Sequence, residues 1–139
     1  MLHEYEWEFP CYRYPPLNDT YGHQVGDQVL VDLTRLLQHE TYSAEIIGRY
    51  GGEEFVILCP DTDIEAAIRR AERLRHAIQK SSIGGISTLN VTSSFGVSTA
   101  RLGDTVQTLL ERADNCLYRA KETGRNKTCW ETEVVAEET

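Results

Sequence analysis

Three stretches of the chain carry apolar residues at the three- and four-residue spacing of a helix that buries one face. One lies after Asp27, one follows the helix-start sequence Pro60-Asp61-Thr62-Asp63, and one runs from Thr105 to Gly124. The pattern predicts three amphipathic helices, preceded by a polar, glycine-containing loop over 17–27. The predicted buried positions are, in chain order, Val29, Leu30, Leu33, Leu36, Leu37, Ile64, Ala67, Ile68, Ala71, Leu74, Ile78, Val106, Leu109, Leu110, Ala113, Leu117 and Ala120.

Short apolar runs between these helices predict strands. Ile46 to Tyr50 and Phe55 to Cys59 flank Gly51-Gly52, which favours a hairpin. Leu89 to Ser98 is rich in valine, threonine and serine and predicts another strand, and Lys127 to Val135 predicts a last one. The resulting order of helix, hairpin, helix, strand, helix and strand indicates an α+β fold with a mostly antiparallel central sheet wrapped by helices.

The amino-terminal segment has a different pattern. Aromatic residues alternate with glutamates over residues 4–9, which is the period of a half-exposed strand. Pro10, Pro15 and Pro16 follow, and proline lacks the N–H that an interior strand must donate. Residues 1–16 are therefore predicted to form an edge strand or an irregular arm rather than a central strand.

The length of 139 residues favours one domain. We divide the chain into the arm at 1–16, a domain at 17–135 and an acidic tail at 136–139. The chain contains no run of about 18 uncharged apolar residues, which is the length needed to cross a bilayer. Its acidic start does not resemble a signal peptide, so a cytoplasmic location is expected. A net charge of −8 without a basic stripe makes nucleic acid an improbable partner.

The four cysteines lie far apart, at Cys11, Cys59, Cys116 and Cys129. They form neither a C-x-x-C pair nor a zinc-ligand spacing, which predicts free thiols.

Three motifs occur together in one order and spacing. The first is Asn18-Asp19-Thr20-Tyr21-Gly22-His23 with Gly26-Asp27, the second is Arg49 to Phe55, and the third is Ala120-Lys121 with Gly124-Arg125-Asn126. With these motifs the chain resembles the GGDEF family from about Leu17 to Trp130. The resemblance implies the nucleotidyl-cyclase and polymerase-palm fold, and an enzyme in which two GTP-loaded protomers face each other. Each 3′-hydroxyl attacks the α-phosphate of the opposite GTP, with magnesium ions present, to form cyclic di-GMP.

The resemblance also assigns roles to the motif residues. Glu53 matches a metal-ligating carboxylate, and Glu54 matches the neighbouring acid that activates the hydroxyl or completes the metal site. Asn18 and Asp27 match the pair that hydrogen-bonds the guanine edge. The alternative roles are a turn at the hairpin tip for the glutamates and helix capping for Asp27.

Basic residues are matched in the same way. Lys121 and Arg125 match contacts to the triphosphate, and both also suit the carboxyl end of a helix. His23 is predicted to be a structural loop residue. Arg69 and Arg73 match a secondary contact to the product, whereas an exposed arginine face is the alternative.

The first segment departs from the family pattern. Pro10 and Pro15 stand where the family has a metal-binding aspartate and a phosphate-binding lysine, and Tyr12 replaces a second aspartate. Glu8 shares the strand face of Pro10 and is the candidate replacement ligand. The family's inhibitory product site, arginine-x-x-aspartate, is here the stretch from Tyr42 to Glu45, so product inhibition through it is not expected.

Two hypotheses follow for the function. The first is a diguanylate cyclase that works as a homodimer with Glu53, Glu54 and magnesium. The second is a catalytically degenerate GGDEF module that binds GTP or a protein partner and has a regulatory role. In a further variant, residues 1–16 are foreign sequence that supplies a substitute first strand. Family members usually carry an amino-terminal sensor or dimerisation domain, which these residues do not include.

Overall fold

The computed structural model describes residues 2–8, 19–50, 54–81 and 90–131, with side chains over 26–50, 54–81 and 91–131. Its elements are β1 (Leu2–Glu8), α1 (Asp19–Glu40), β2 (Ile46–Arg49), β3 (Glu54–Leu58), α2 (Ile64–Lys80), β4 (Asn90–Val97), α3 (Val106–Glu122) and β5 (Thr128–Trp130). Among the helices in these ranges, none combines the length and apolar character that a bilayer crossing requires.

The strands form one five-stranded sheet in the order β2-β3-β1-β4-β5. The pairs β2–β3, β3–β1 and β1–β4 are antiparallel, and β4–β5 is parallel. The predicted hairpin and the mostly antiparallel sheet of an α+β fold are confirmed.

Strand β1 lies in the middle of the sheet, so the prediction of an edge strand or irregular arm is wrong for Leu2–Glu8. This strand pairs with β3 on one side, where Leu2 lies opposite Val56, and with β4 along its whole length. The prolines behind the prediction all come after Glu8, so none of them removes a donor from β1. Residues 9–18, which include Pro10, Tyr12 and Pro15, lie outside the described part.

The two faces of the sheet carry different helices. Alternate residues of β3 and β4 pack against the apolar stripes of α1 and α2 on one face. On the other face, Val56 packs against Ala113 and Leu117 of α3. The main buried cluster is Val29, Leu33, Leu37, Phe55, Ile57, Ala67, Ala71, Leu74, Ile78, Val91, Phe95 and Val97.

Helix α3 lies unusually close to β4 at Gly96. An added Cβ there would come within 2.1 Å of the Ala113 carbonyl oxygen and 2.4 Å of the Leu117 nitrogen. Both are backbone atoms, so only glycine allows this packing. Ser98 Oγ donates to the Leu109 carbonyl at 2.9 Å. Helix α3 therefore runs antiparallel to β4, and its carboxyl end lies towards Ser94.

Helix α1 begins earlier than its sequence predicts. It starts at Asp19, so Gly22, His23 and Asp27 belong to the helix. The prediction of a loop around His23 and the alternative of Asp27 as a helix cap are both wrong. Glycine within a helix costs about 1 kcal/mol relative to alanine, and the packed stripe that begins at Val29 stabilises α1 in spite of that cost.

The other two helices begin as predicted. Asp63 caps α2, since its Oδ1 accepts a hydrogen bond from the Ala66 N–H at 2.8 Å. Thr105 and Thr108 form a reciprocal capping box at the start of α3, with distances of 3.0 and 3.1 Å.

Candidate functional site

A cavity of about 540 Å³ lies between α1 and the β2–β3 hairpin. This volume is within the range of small-molecule sites, about 300–1,000 Å³. Its apolar wall includes Leu30 and Phe55, and a Cβ on Gly48 would meet only open space. The full lining is Leu30, Val31, Thr34, Arg35, Gln38, Ile47, Gly48, Arg49 and Phe55.

Two predicted site residues lie on the elements that form this cavity, although neither belongs to its lining. Asp27 is exposed on α1, three residues before Leu30, so its carboxylate is available to accept hydrogen bonds from a ligand. Glu54 is the partly buried first residue of β3. It alternates with Phe55 along the strand, so it shares the sheet face of Val56 rather than that of the cavity. The other two members of these predicted pairs, Asn18 and Glu53, fall outside the described residues.

Arg35 and Arg49 also line the cavity. They place positive charge at one concave surface of a chain whose net charge is −8, which suits an anionic ligand. Arg35 was not predicted as a site residue. The sequence feature that could have identified Arg35 is its position one helical turn after Val31, at the edge of the buried stripe of α1.

Lys121 belongs to α3, which packs on the opposite face of the sheet from α1, and Arg125 follows the end of that helix. Lys121 is half-buried in the last turn of α3, and Arg125 is exposed just after the helix. The neighbouring Asn126 N–H donates to Ser94 Oγ at 3.1 Å. Because α3 runs antiparallel to β4, its carboxyl end lies towards Ser94. Lys121 and Arg125 therefore lie at the end of the sheet that contains Ser94.

Glu54 lies in the same row of the sheet as Ser94. Glu4 of β1 is the Cα partner of both residues, so one strand separates Glu54 from Ser94. With about 4.8 Å between neighbouring strands, the row spans roughly 10 Å from Glu54 to Ser94. The structure thus brings Glu54 near the segment that carries Arg125.

The same register tests Glu8 as a replacement ligand. Glu8 pairs with Asn90, whereas Glu4 stands opposite Glu54. Four residues along a strand correspond to about 13 Å, so the register does not place Glu8 beside Glu54. Within the described residues no three His, Cys, Asp or Glu side chains are grouped to hold a metal ion.

The family model for "Diguanylate cyclase, GGDEF domain" matches residues 11–127 of the chain. The chain belongs to the GGDEF family. Its α+β architecture is the palm-like cyclase fold of that family, as predicted.

Relatives of this GGDEF domain include a response regulator and several diguanylate cyclases. The response regulator PleD of Caulobacter vibrioides is 46% identical over 114 residues, which are 79% of this chain and 25% of PleD. The chain thus spans about a quarter of the length of PleD. The active GGEEF domain of a diguanylate cyclase from Vibrio cholerae superimposes with a TM-score of 0.74 at 30% identity, covering 95% of this chain and 83% of that one. Diguanylate cyclase SiaD of Pseudomonas aeruginosa, solved with its activator SiaC, gives 0.74 at 34% identity, covering 94% and 50%.

The region of the family's product site is occupied by internal contacts in this GGDEF domain. Arg70 donates to Glu45 through Nε at 3.0 Å and Nη2 at 2.9 Å, and the two side chains are only 6% and 7% exposed. The Arg70 guanidinium also lies 4.1 Å from the centre of the Tyr42 ring. Burial alone would raise the pKa of Glu45, but the hydrogen bonds and charge of Arg70 lower it overall.

The arginines matched to a secondary product contact are both exposed, which agrees with the alternative of an exposed arginine face. Arg73 is 63% exposed and donates to the Tyr42 hydroxyl at 3.1 Å. The absence of product inhibition through this region stays a prediction. The free thiols are confirmed for Cys59, Cys116 and Cys129, whereas Cys11 lies outside the described residues.

Proposed function

We propose that this GGDEF domain binds GTP and, as a homodimer, joins two GTP molecules into cyclic di-GMP. The observation that carries the proposal is the cavity of about 540 Å³ between the helix of Asp27 and the strand of Glu54. Relatives named diguanylate cyclases support it. The match covers only part of their length, so the activity is proposed for this chain rather than transferred from them.

Recognition of guanine is assigned to Asp27 and Asn18. A carboxylate at Asp27 accepts from guanine N1–H and the 2-amino group, and the Asn18 amide donates to O6. Apolar contact with the base comes from the cavity wall at Leu30 and Phe55. Lys121 and Arg125 offset the charge of the triphosphate.

The reaction needs two bound nucleotides. The 3′-hydroxyl of each GTP attacks the α-phosphate of the other, so two phosphodiester bonds form and two pyrophosphates leave. Glu54 accepts the hydroxyl proton in this proposal. Such a transfer requires little covalent chemistry from the protein, so alignment of the two nucleotides supplies most of the rate. That Glu53 and Glu54 bind magnesium stays a prediction. It is tested by measuring GTP binding and product formation without magnesium.

The experiment combines calorimetric titration of GTP, with and without magnesium, and mass spectrometry of the incubated sample for cyclic di-GMP. We expect magnesium-dependent binding and a dinucleotide product that Glu54→Ala abolishes. Gly48→Phe fills the cavity and should weaken GTP binding more than tenfold. Ile46→Phe is the matched control because Ile46 is 61% exposed on the same strand and does not line the cavity.

A second candidate is a GTP-binding regulatory module without turnover. Pro10 and Pro15 favour it, since neither can replace the aspartate and lysine of the family pattern. Loss of several kcal/mol of transition-state stabilisation corresponds to turnover slower by roughly a thousandfold or more. Binding of GTP without product would select this candidate, and no binding at millimolar GTP would contradict both.

A further inference from the structure

The turn after α3 has a backbone that requires support. Gly124, Arg125 and Asn126 have consecutive positive φ angles of 120°, 62° and 48°. A non-glycine residue in this left-handed region costs about 1–2 kcal/mol. Surrounding contacts must therefore hold Arg125 and Asn126 in place.

Asn126 receives most of that support from two other elements. Its N–H donates to Ser94 Oγ of β4 at 3.1 Å. Arg75 Nη1 of α2 donates to the Asn126 carbonyl at 3.2 Å and to its Oδ1 at 2.9 Å. The Arg125 N–H closes the helix end by donating to the Ala120 carbonyl at 2.9 Å. The turn is thus fixed by residues distant in sequence.

Arg75 is itself held rigidly. Its Nε and Nη2 donate to the two carboxylate oxygens of Glu72, each at 2.7 Å, and its side chain is 13% exposed. Glu72 Oε2 also accepts from Thr128 Oγ1 at 2.6 Å. A paired, fork-shaped contact of this kind fixes orientation as well as charge. Arg75 therefore connects α2 to both Asn126 and the start of β5.

The held turn contacts the row of the sheet that contains Glu54. Ser94, which accepts from Asn126, shares a row of the sheet with Glu54 through their common partner Glu4. The one exposed side chain between Gly124 and Asn126 is that of Arg125. Any change in the backbone angles at Asn126 would redirect this side chain.

We propose that Arg75 is a positioning residue for triphosphate binding, because it holds the left-handed turn that presents Arg125 to the nucleotide phosphates. The inference rests on the proposed function. Arg75 contacts Asn126, so in this proposal its effect on phosphate binding passes through Arg125.

A double-mutant cycle tests this coupling, with GTP and guanosine as probes of the same protein. Arg75→Met should weaken GTP binding by about tenfold and leave guanosine binding unchanged, because guanosine has no phosphate. In an Arg125→Ala background, Arg75→Met should cause no further loss. Lys80→Met is the matched control, since Lys80 is an exposed cation in the last turn of the same helix.

Arg75→Lys keeps the charge and tests the role even where Arg75→Met folds poorly. A single ammonium cannot reproduce the forked contacts, so an intermediate loss of GTP affinity that again requires Arg125 is expected. Equal losses for GTP and guanosine, or a full loss in the Arg125→Ala background, would overturn the inference. If the wild type binds GTP and Arg75→Met does not change that binding, the inference about Arg75 is overturned and the proposed function stands. If the wild type binds neither GTP nor guanosine, the proposed function is overturned as well.

Discussion

Cys59 shows how one buried carboxylate changes the chemistry of a neighbouring thiol. Its Sγ donates to Glu45 Oε2 at 3.5 Å. Burial, followed by the charge of Glu45, raises the pKa of Cys59 from its ordinary value of 9.0 to about 11. The thiolate is the reactive form of cysteine. Cys59 should therefore be inert at neutral pH although it is only half-buried.

Alkylation by iodoacetamide at pH 8 tests this property. We expect Cys59 in the folded protein to react about 100-fold more slowly than Cys59 in urea-unfolded protein, because its thiolate fraction is smaller by that factor. Peptide mass spectrometry measures each cysteine separately. Equal rates in the two states would contradict the raised pKa.

At the scale of the elements, the contact of α3 with β4 depends on one missing side chain. Gly96 lies under two backbone atoms of α3, the Ala113 oxygen and the Leu117 nitrogen. Backbone atoms within a helix cannot rotate away as a side chain can. The helix as a whole must move to admit a larger residue.

Gly96→Ala should lower the free energy of unfolding by about 3 kcal/mol, the upper part of the usual range for overpacking. Urea denaturation followed by circular dichroism measures the change. Gly48→Ala is the control, because a Cβ on Gly48 meets open space on edge strand β2. A loss below 0.5 kcal/mol at Gly96 would show that α3 does not pack as closely as described.

The sequence predicted best those helices whose first turn contains a capping residue. Asp63 and Thr105 mark the starts of α2 and α3 because capping depends on residues three positions apart. The start of α1 was missed because Gly22 favours a loop locally, whereas the packing that stabilises the helix comes from β3 and α2. Local preference and tertiary packing disagree there.

Across the whole molecule, ion pairs make the fold sensitive to acid. Arg112 donates to Asp104 at 2.6 and 2.7 Å and to Glu131 at 2.8 Å, which connects α3 to the segments on either side of it. The hydrogen bonds of Arg112 lower the pKa of Asp104, and those of Arg75 lower the pKa of Glu72. Together with Glu45, these carboxylates favour the folded state in their charged form.

Their stabilising effect has a definite direction with pH. A carboxylate whose folded pKa is lowered contributes fully above its unfolded pKa of about 4, and the contribution is lost as pH falls through the folded value. We expect the melting temperature to fall as pH is lowered from 5 to 2, measured by calorimetry. Arg112→Met should lower the melting temperature at pH 7 and make the acid dependence shallower. An unchanged melting temperature at pH 3 would contradict this account.

Contacts between residues far apart in the chain could not be predicted from the sequence. Sequence motifs identified Asp27 and Glu54, and the fold places them on the helix and the hairpin that form one cavity. The contact of Arg75 with Asn126 joins residues about 50 positions apart, for which one sequence carries no periodic signal. For β1 the sequence favoured an edge strand, with a substitute first strand as one alternative, because its neighbours in the sheet are set by strand pairing and not by its own residues.

That central position has a consequence for how the chain folds. In the described ladder, β3 and β4 meet only through β1, whose partners follow it by about 50 and about 90 residues. The β2–β3 hairpin and the β4–α3–β5 unit contain mostly local contacts, which close quickly, whereas the loops that bring β1 to them are long. The two halves of the molecule are thus expected to form first and to be joined last by the strand at their centre.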